Sequence, residues 1–81
     1  MEIKVLGPGC KKCNKLYEIA QRAVADAGVD AEVIKVTELP EMAAAGVVVP
    51  PGLLIGGELK SVGKVPRAAR IVEWIREAAE R

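Results

Sequence analysis

The chain has 81 residues, a formal net charge of +1 and 28% charged residues, a length that suits a single domain over residues 1–81. Balanced charge with one Trp, one Tyr and no Phe excludes the basic, aromatic-studded face of a nucleic-acid binder, and no apolar run is long enough to cross a bilayer. The 51% apolar content must build an aliphatic core, in a domain small enough to bury only roughly 60–65% of its unfolded surface.

Met1 leads straight into the alternation of Ile3 and Val5, with no basic stretch and apolar segment of signal-peptide form ahead of it. The expected location is therefore cytoplasmic. Glu2 to Leu6 reads as a strand with Ile3 and Val5 on one face and Lys4 on the other. Gly7, Pro8 and Gly9 break it, and the two glycines read as turn makers, since they lack the spacing of a phosphate loop. A helix is expected from Cys10 to Ala27. At 100° per residue, Cys13, Leu16, Tyr17, Ala20, Ala23, Val24 and Ala27 share an arc of roughly 120°, with Lys11, Lys15, Glu18, Arg22 and Asp26 opposite. Gly28 is suited to stop it.

Ala31 to Val36 forms the next strand by its Val and Ile content. Its long helical connection to the first strand predicts parallel pairing through a right-handed crossover. Thr37 is placed to cap a short helix over Glu38 to Ala45, which admits Pro40 only in its first turn and ends at Gly46. After Val47 to Val49 and Pro50-Pro51-Gly52, two strands, Leu53 to Ile55 and Glu58 to Val62, flank Gly56-Gly57, a hairpin signal. The last helix is expected to start near Pro66, with Ala68, Ile71, Val72, Ile75, Ala78 and Ala79 on one face and Trp74 at its margin. The predicted fold is α/β, in the order β-α-β-α-β-β-α, with three helices and a mixed four-stranded sheet in spatial order 2-1-3-4.

Chemistry concentrates at Cys10-Lys11-Lys12-Cys13, on a strand-to-helix turn. Paired cysteines in a reducing compartment point to catalysis or metal binding more than to a structural staple. At a helix N-terminus, Cys10 meets unpaired backbone N–H groups and the positive end of the helix dipole, which favour the nucleophilic thiolate. Lys11 and Lys12 add positive charge and tune the same equilibrium. Cys13, one turn on and on the apolar face, is placed to resolve a mixed disulfide formed at Cys10. Lys11, Lys12 and Lys15 also admit two other readings: a solvated face, or a surface for an acidic partner. Tyr17 is expected to pack beside Cys13, and Trp74 at the core edge.

The arrangement resembles the thioredoxin/glutaredoxin superfamily, and most of all its small archaeal and bacterial redox-active disulfide proteins. The resemblance is carried by Ile3 to Leu16 around Gly7-Pro8-Gly9-Cys10-Lys11-Lys12-Cys13, by Gly46-Val47, by Pro51 to Glu58 and by Gly63-Lys64-Val65-Pro66. It implies a thiol–disulfide oxidoreductase or electron carrier with no cofactor and no resident metal. Its partners would be a disulfide reductase, expected to be a flavoprotein, and disulfide-bearing protein targets, and the chain itself a monomer. It further implies that Pro51 is the family's cis-proline, packed against the dithiol, and that Pro50, Pro51 and Gly63 form the substrate groove.

Three departures stand out. The residue before the cis-proline is Pro50, which has no N–H to offer a bound peptide. The Trp that usually precedes the first cysteine is Gly9. The family's buried acid falls on Lys4, and the chain has no His. The competing reading is a cytosolic Cu(I) or zinc carrier, since small copper chaperones also begin strand, Cys-x-x-Cys, helix. Against it, two thiolates fall short of a closed tetrahedral site, Pro8 stands where those chaperones carry Met, and the chain ends in a helix.

Overall fold

The computed structural model describes residues 1–80. Its elements, in chain order, are β1 (Glu2–Leu6), α1 (Lys11–Ala27), β2 (Glu32–Val36), α2 (Leu39–Ala45), β3 (Gly52–Ile55), β4 (Glu58–Val62) and α3 (Ala68–Ala79). The sheet order is β2-β1-β3-β4. β1 and β2 run parallel, with Ile3 opposite Val33, and β1 and β3 run antiparallel, with Val5 opposite Leu53. Element order, strand order, the parallel β1–β2 pairing and the β3–β4 hairpin are those predicted.

Period-two alternation in β1 divides the core between the two faces of the sheet. Ile3 and Val5 point to the face covered by α1 and α3. There they join Leu16, Ala20, Ala23, Leu53, Ile55, Ile71 and Ile75, with Trp74 and Tyr17 at the edge. Leu6 points the other way, into a smaller cluster with Val36, Met42 and Val47 beneath α2. The predicted stripe of α1 is the buried one, Cys13 included. On α3 the stripe centres on Ile71 and Ile75, and Ala79 lies outside it, exposed.

Two predicted helix starts move. Thr37 does not cap α2: Glu38 occupies the N-cap without a side-chain hydrogen bond, with Pro40 in the first turn. α3 is capped at Arg67, so Pro66 lies one residue ahead of the cap rather than inside the helix. Both starts lie within one or two residues of the expected ones, the range over which helix ends vary. Tyr17 packs against the main core, with the Lys35 ammonium 4.5 Å from its ring centroid.

The hairpin between β3 and β4 turns through Gly56 and Gly57, both at positive φ (58° and 87°), the pair of dihedrals that a two-residue primed turn requires. On the edge strand, Leu53 faces Ser61 while Leu54 faces Leu59, so Lys60 is an extra, bulged residue. A bulge of this kind protects an edge strand from pairing with other chains.

Candidate functional site

Cys10 and Cys13 form a disulfide with their Cα atoms 5.0 Å apart. Cys10 is the N-cap of α1, with extended dihedrals, and its Sγ accepts a hydrogen bond from the Cys13 backbone N–H at 3.2 Å. Its carbonyl accepts the first helical bond from Asn14 at 3.0 Å, and the Asn14 side-chain amide donates to the Gly9 carbonyl at 3.4 Å. The Cys10 sulfur therefore does what a Ser or Asp oxygen does at other helix starts, occupying one of the otherwise unpaired N–H groups. Cys10 is exposed, whereas Cys13 is only 4% exposed and belongs to the buried stripe of α1.

Gly7 ends β1 and supports the pair from below. Its N–H bonds the Val36 carbonyl at 2.9 Å, which extends the β1–β2 ladder by one residue. It is buried and its φ is not positive, so the backbone there does not need a glycine. Space does. A Cβ at Gly7 would overlap the Sγ of Cys13, come 3.1 Å from the Cys13 Cβ and 3.6 Å from the Cβ of Pro50. The turn-maker reading holds for Gly9, at φ 99°, and fails for Gly7, whose missing side chain makes room for the sulfur. Nothing in the sequence marks this, because it depends on how closely the end of β1 approaches the second turn-facing residue of α1.

Pro50 thus stands across Gly7 from Cys13. The Pro50–Pro51 peptide bond is cis, as expected from the resemblance, and Pro51 is fully buried. The Pro51 carbonyl accepts the Gly63 N–H at 2.8 Å. Gly63 has φ 73°, and a Cβ there would sit 3.3 Å from Val49. The chain on either side of the cis bond is therefore stitched to the end of β4. Val48 and Val49, just before it, are 88% and 57% exposed.

Lys11 and Lys12 occupy the first turn of α1, which contains no acidic residue, and Lys15 follows one turn on. All three are exposed, and none takes part in either ion pair found among the described residues, Lys60–Glu58 and Arg70–Glu73. No charged or polar residue is fully buried among the described residues, although the Ser61 hydroxyl oxygen is shielded from solvent. Lys4, in the position of the expected buried acid, is half-buried on the α2 side of the sheet. Among these residues no group of three or more His, Cys, Asp or Glu converges as a metal-ligand set.

This fold, with its dithiol on the N-cap of α1, is that of a thioredoxin domain. The thioredoxin domain family model matches residues 1–76, and the chain belongs to that family. It is 38% identical over 78 residues, covering 96% of this chain and 90% of the relative, to a protein named thioredoxin from Methanocaldococcus jannaschii. It is 42% identical over 65 residues, covering 80% of this chain and 84% of the relative, to another of that name from Methanothermobacter thermautotrophicus.

Proposed function

We propose that the protein is a thiol–disulfide oxidoreductase in which Cys10 is the nucleophile and Cys13 the resolving thiol. The observation that carries this is the unequal exposure of two bonded sulfurs at one helix start. Cys10 is open to solvent and lies on the N-cap, where backbone N–H and helix dipole favour a thiolate. Cys13 is shielded and reachable only from its partner.

In the forward cycle the Cys10 thiolate attacks one sulfur of a target disulfide. A Cys10–target mixed disulfide forms and the other target sulfur leaves as a thiolate. Cys13, as thiolate, then attacks the Cys10 sulfur, closing the Cys10–Cys13 disulfide and releasing the second target thiolate. The dithiol loses two electrons and the target gains them, and a disulfide reductase, in this reading a flavoprotein, returns the pair to the dithiol state. Pro50 and Gly63 line the groove for the target chain, and the buried Pro51 supports it from beneath. Lys11 and Lys12 stabilise the Cys10 thiolate. The protein acts as a cytoplasmic monomer without a cofactor.

The test is dithiothreitol-driven reduction of insulin disulfides. Wild type should accelerate it, Cys10→Ser should abolish the effect, and Cys13→Ser should accumulate a mixed disulfide through Cys10. A Cys10→Ser variant with wild-type rate would overturn the assignment.

A further inference from the structure

The start of α1 carries its charges in the wrong sense for the helix. The first turn of a helix is stabilised by acidic side chains and destabilised by basic ones, because the unpaired N–H groups already present a positive end. Here the positions after the N-cap hold Lys11 and Lys12, the next turn holds Lys15, and no acid stands in the first turn. Lys15 stands at i,i+4 from Lys11 and at i,i+3 from Lys12, spacings at which like charges repel. None has an ion-pair partner among the described residues, although Glu18 lies three residues beyond Lys15. Helix stability therefore gives no reason for this cluster, in a chain whose net charge is only +1.

On the loop side, Val48, Val49, Pro50 and Pro51 carry no charge, and the exposed Lys64 follows Gly63, which packs against Val49. Pro50 stands beside Cys13 across Gly7, and the exposed Val48 and Val49 lead into it. Positive charge is therefore densest on the α1 side of Cys10, where three exposed lysines fall within five residues. A target segment laid across Cys10 meets that cluster along its α1 flank.

We infer that the protein selects targets whose reactive disulfide is flanked by acidic residues, which the triad Lys11, Lys12 and Lys15 attracts and orients over Cys10. This rests on the oxidoreductase reading and names its substrate class. Thiolate tuning by Lys11 and Lys12 acts on every substrate alike. Attraction of an acidic flank acts only on substrates that carry one, so the ratio of rates between substrates isolates it.

The experiment uses the reduced protein and three synthetic disulfide peptides of one length, in which the residues flanking the disulfide are three Asp, three Lys or three Ser. Second-order rate constants are measured by stopped flow at low and high ionic strength. For wild type the Asp peptide should react about tenfold or more faster than the Lys peptide at low salt, within the range of electrostatic steering. The ratio should fall towards one near 1 M salt, where the screening length is about 3 Å. In the variant Lys11→Gln/Lys12→Gln/Lys15→Gln the ratio should fall to within about twofold of one even at low salt. The single variant Lys15→Gln should lower it partially. A wild-type ratio near one at low salt, or a ratio that survives the triple substitution, overturns the inference while leaving the oxidoreductase reading intact. Failure of all three peptides to react overturns that reading, and the inference with it.

Discussion

The substitution Gly7→Ala separates packing from redox chemistry. The added methyl would overlap the Cys13 Sγ and come 3.1 Å from the Cys13 Cβ, while Pro50 at 3.6 Å would be in ordinary contact. In the disulfide form that sulfur is anchored at both ends and cannot step aside without moving the α1 start. In the dithiol form it has one anchor and can shift, or turn to another staggered rotamer. The clash therefore falls on the oxidised form more than on the reduced one. Overpacking a close-packed site costs about 1–3 kcal/mol. If most of that is borne by the oxidised form, the reduction potential rises by about 20–60 mV, at 30 mV for each 1.4 kcal/mol of a two-electron couple. The assay is equilibration of the dithiol against glutathione redox buffers, read by alkylation and mass. The equilibrium should move about 5- to 150-fold towards the dithiol. Calorimetry of the two forms gives an independent reading, because the oxidised form should lose more melting temperature than the reduced one. An unchanged potential, with both forms losing equal stability, would show that Gly7 makes room for the helix and not for the sulfur.

Further expectations concern single residues. Near neutral pH, Cys10 in a Cys13→Ser background should alkylate at least tenfold faster than Cys13 in a Cys10→Ser background, since one thiol is exposed at the N-cap and the other buried; equal rates would reverse the assigned roles. Lys11→Glu/Lys12→Glu should make the protein more stable, by about 0.3–1 kcal/mol per site, and at the same time slow Cys10 alkylation, so a variant faster and less stable would contradict the dipole argument. Pro50→Thr supplies the N–H that the proline lacks and should raise kcat/KM for a disulfide peptide by about 2- to 12-fold, the equivalent of one hydrogen bond of about 0.5–1.5 kcal/mol; no gain would place the bound peptide elsewhere. Metal analysis of the reduced protein should find far less than one zinc per two chains, and stoichiometric zinc with dimerisation would favour the carrier reading, in which two chains share four thiolates.

The sequence carried most of the architecture because the elements are strongly patterned. The α1 stripe, the alternation in β1 and the Gly56-Gly57 turn are strong local signals; the helical crossover pairs β1 with β2 and the hairpin pairs β3 with β4, while the β1–β3 pairing that joins them depends on the whole fold. What stayed hidden depends on distances between elements. Thr37 looks like a cap, yet β2 ends at Val36 as the pattern suggests and Glu38 holds the N-cap, one residue further on and without a side-chain hydrogen bond. Gly7 looks like a turn residue beside Pro8 and Gly9, and only the approach of β1 to Cys13 shows that the requirement is for volume. Pro50 is legible as a lost N–H donor, but not as the neighbour of Gly7 opposite the buried sulfur.

The unequal exposure of the two sulfurs has a geometric origin. Residues three apart in a helix are separated by about 300° of rotation and about 4.5 Å of rise, which leaves them adjacent but about 60° out of line, in keeping with the 5.0 Å between these Cα atoms. Because Cys10 is the cap and not a helical residue, its extended dihedrals carry its side chain outward while its Sγ turns back to the Cys13 N–H. Cys13, in phase with Leu16, Ala20 and Ala23, turns inward. With one residue fewer between them, the second cysteine would rotate about 100° off the buried stripe. With one more, the second cysteine would rotate about 100° the other way, onto the exposed position that Asn14 holds, about 6 Å along the axis from the cap. The two-residue spacing is the one that places a capping sulfur and a core sulfur within bonding distance, and Gly7 supplies the volume that the second of them occupies.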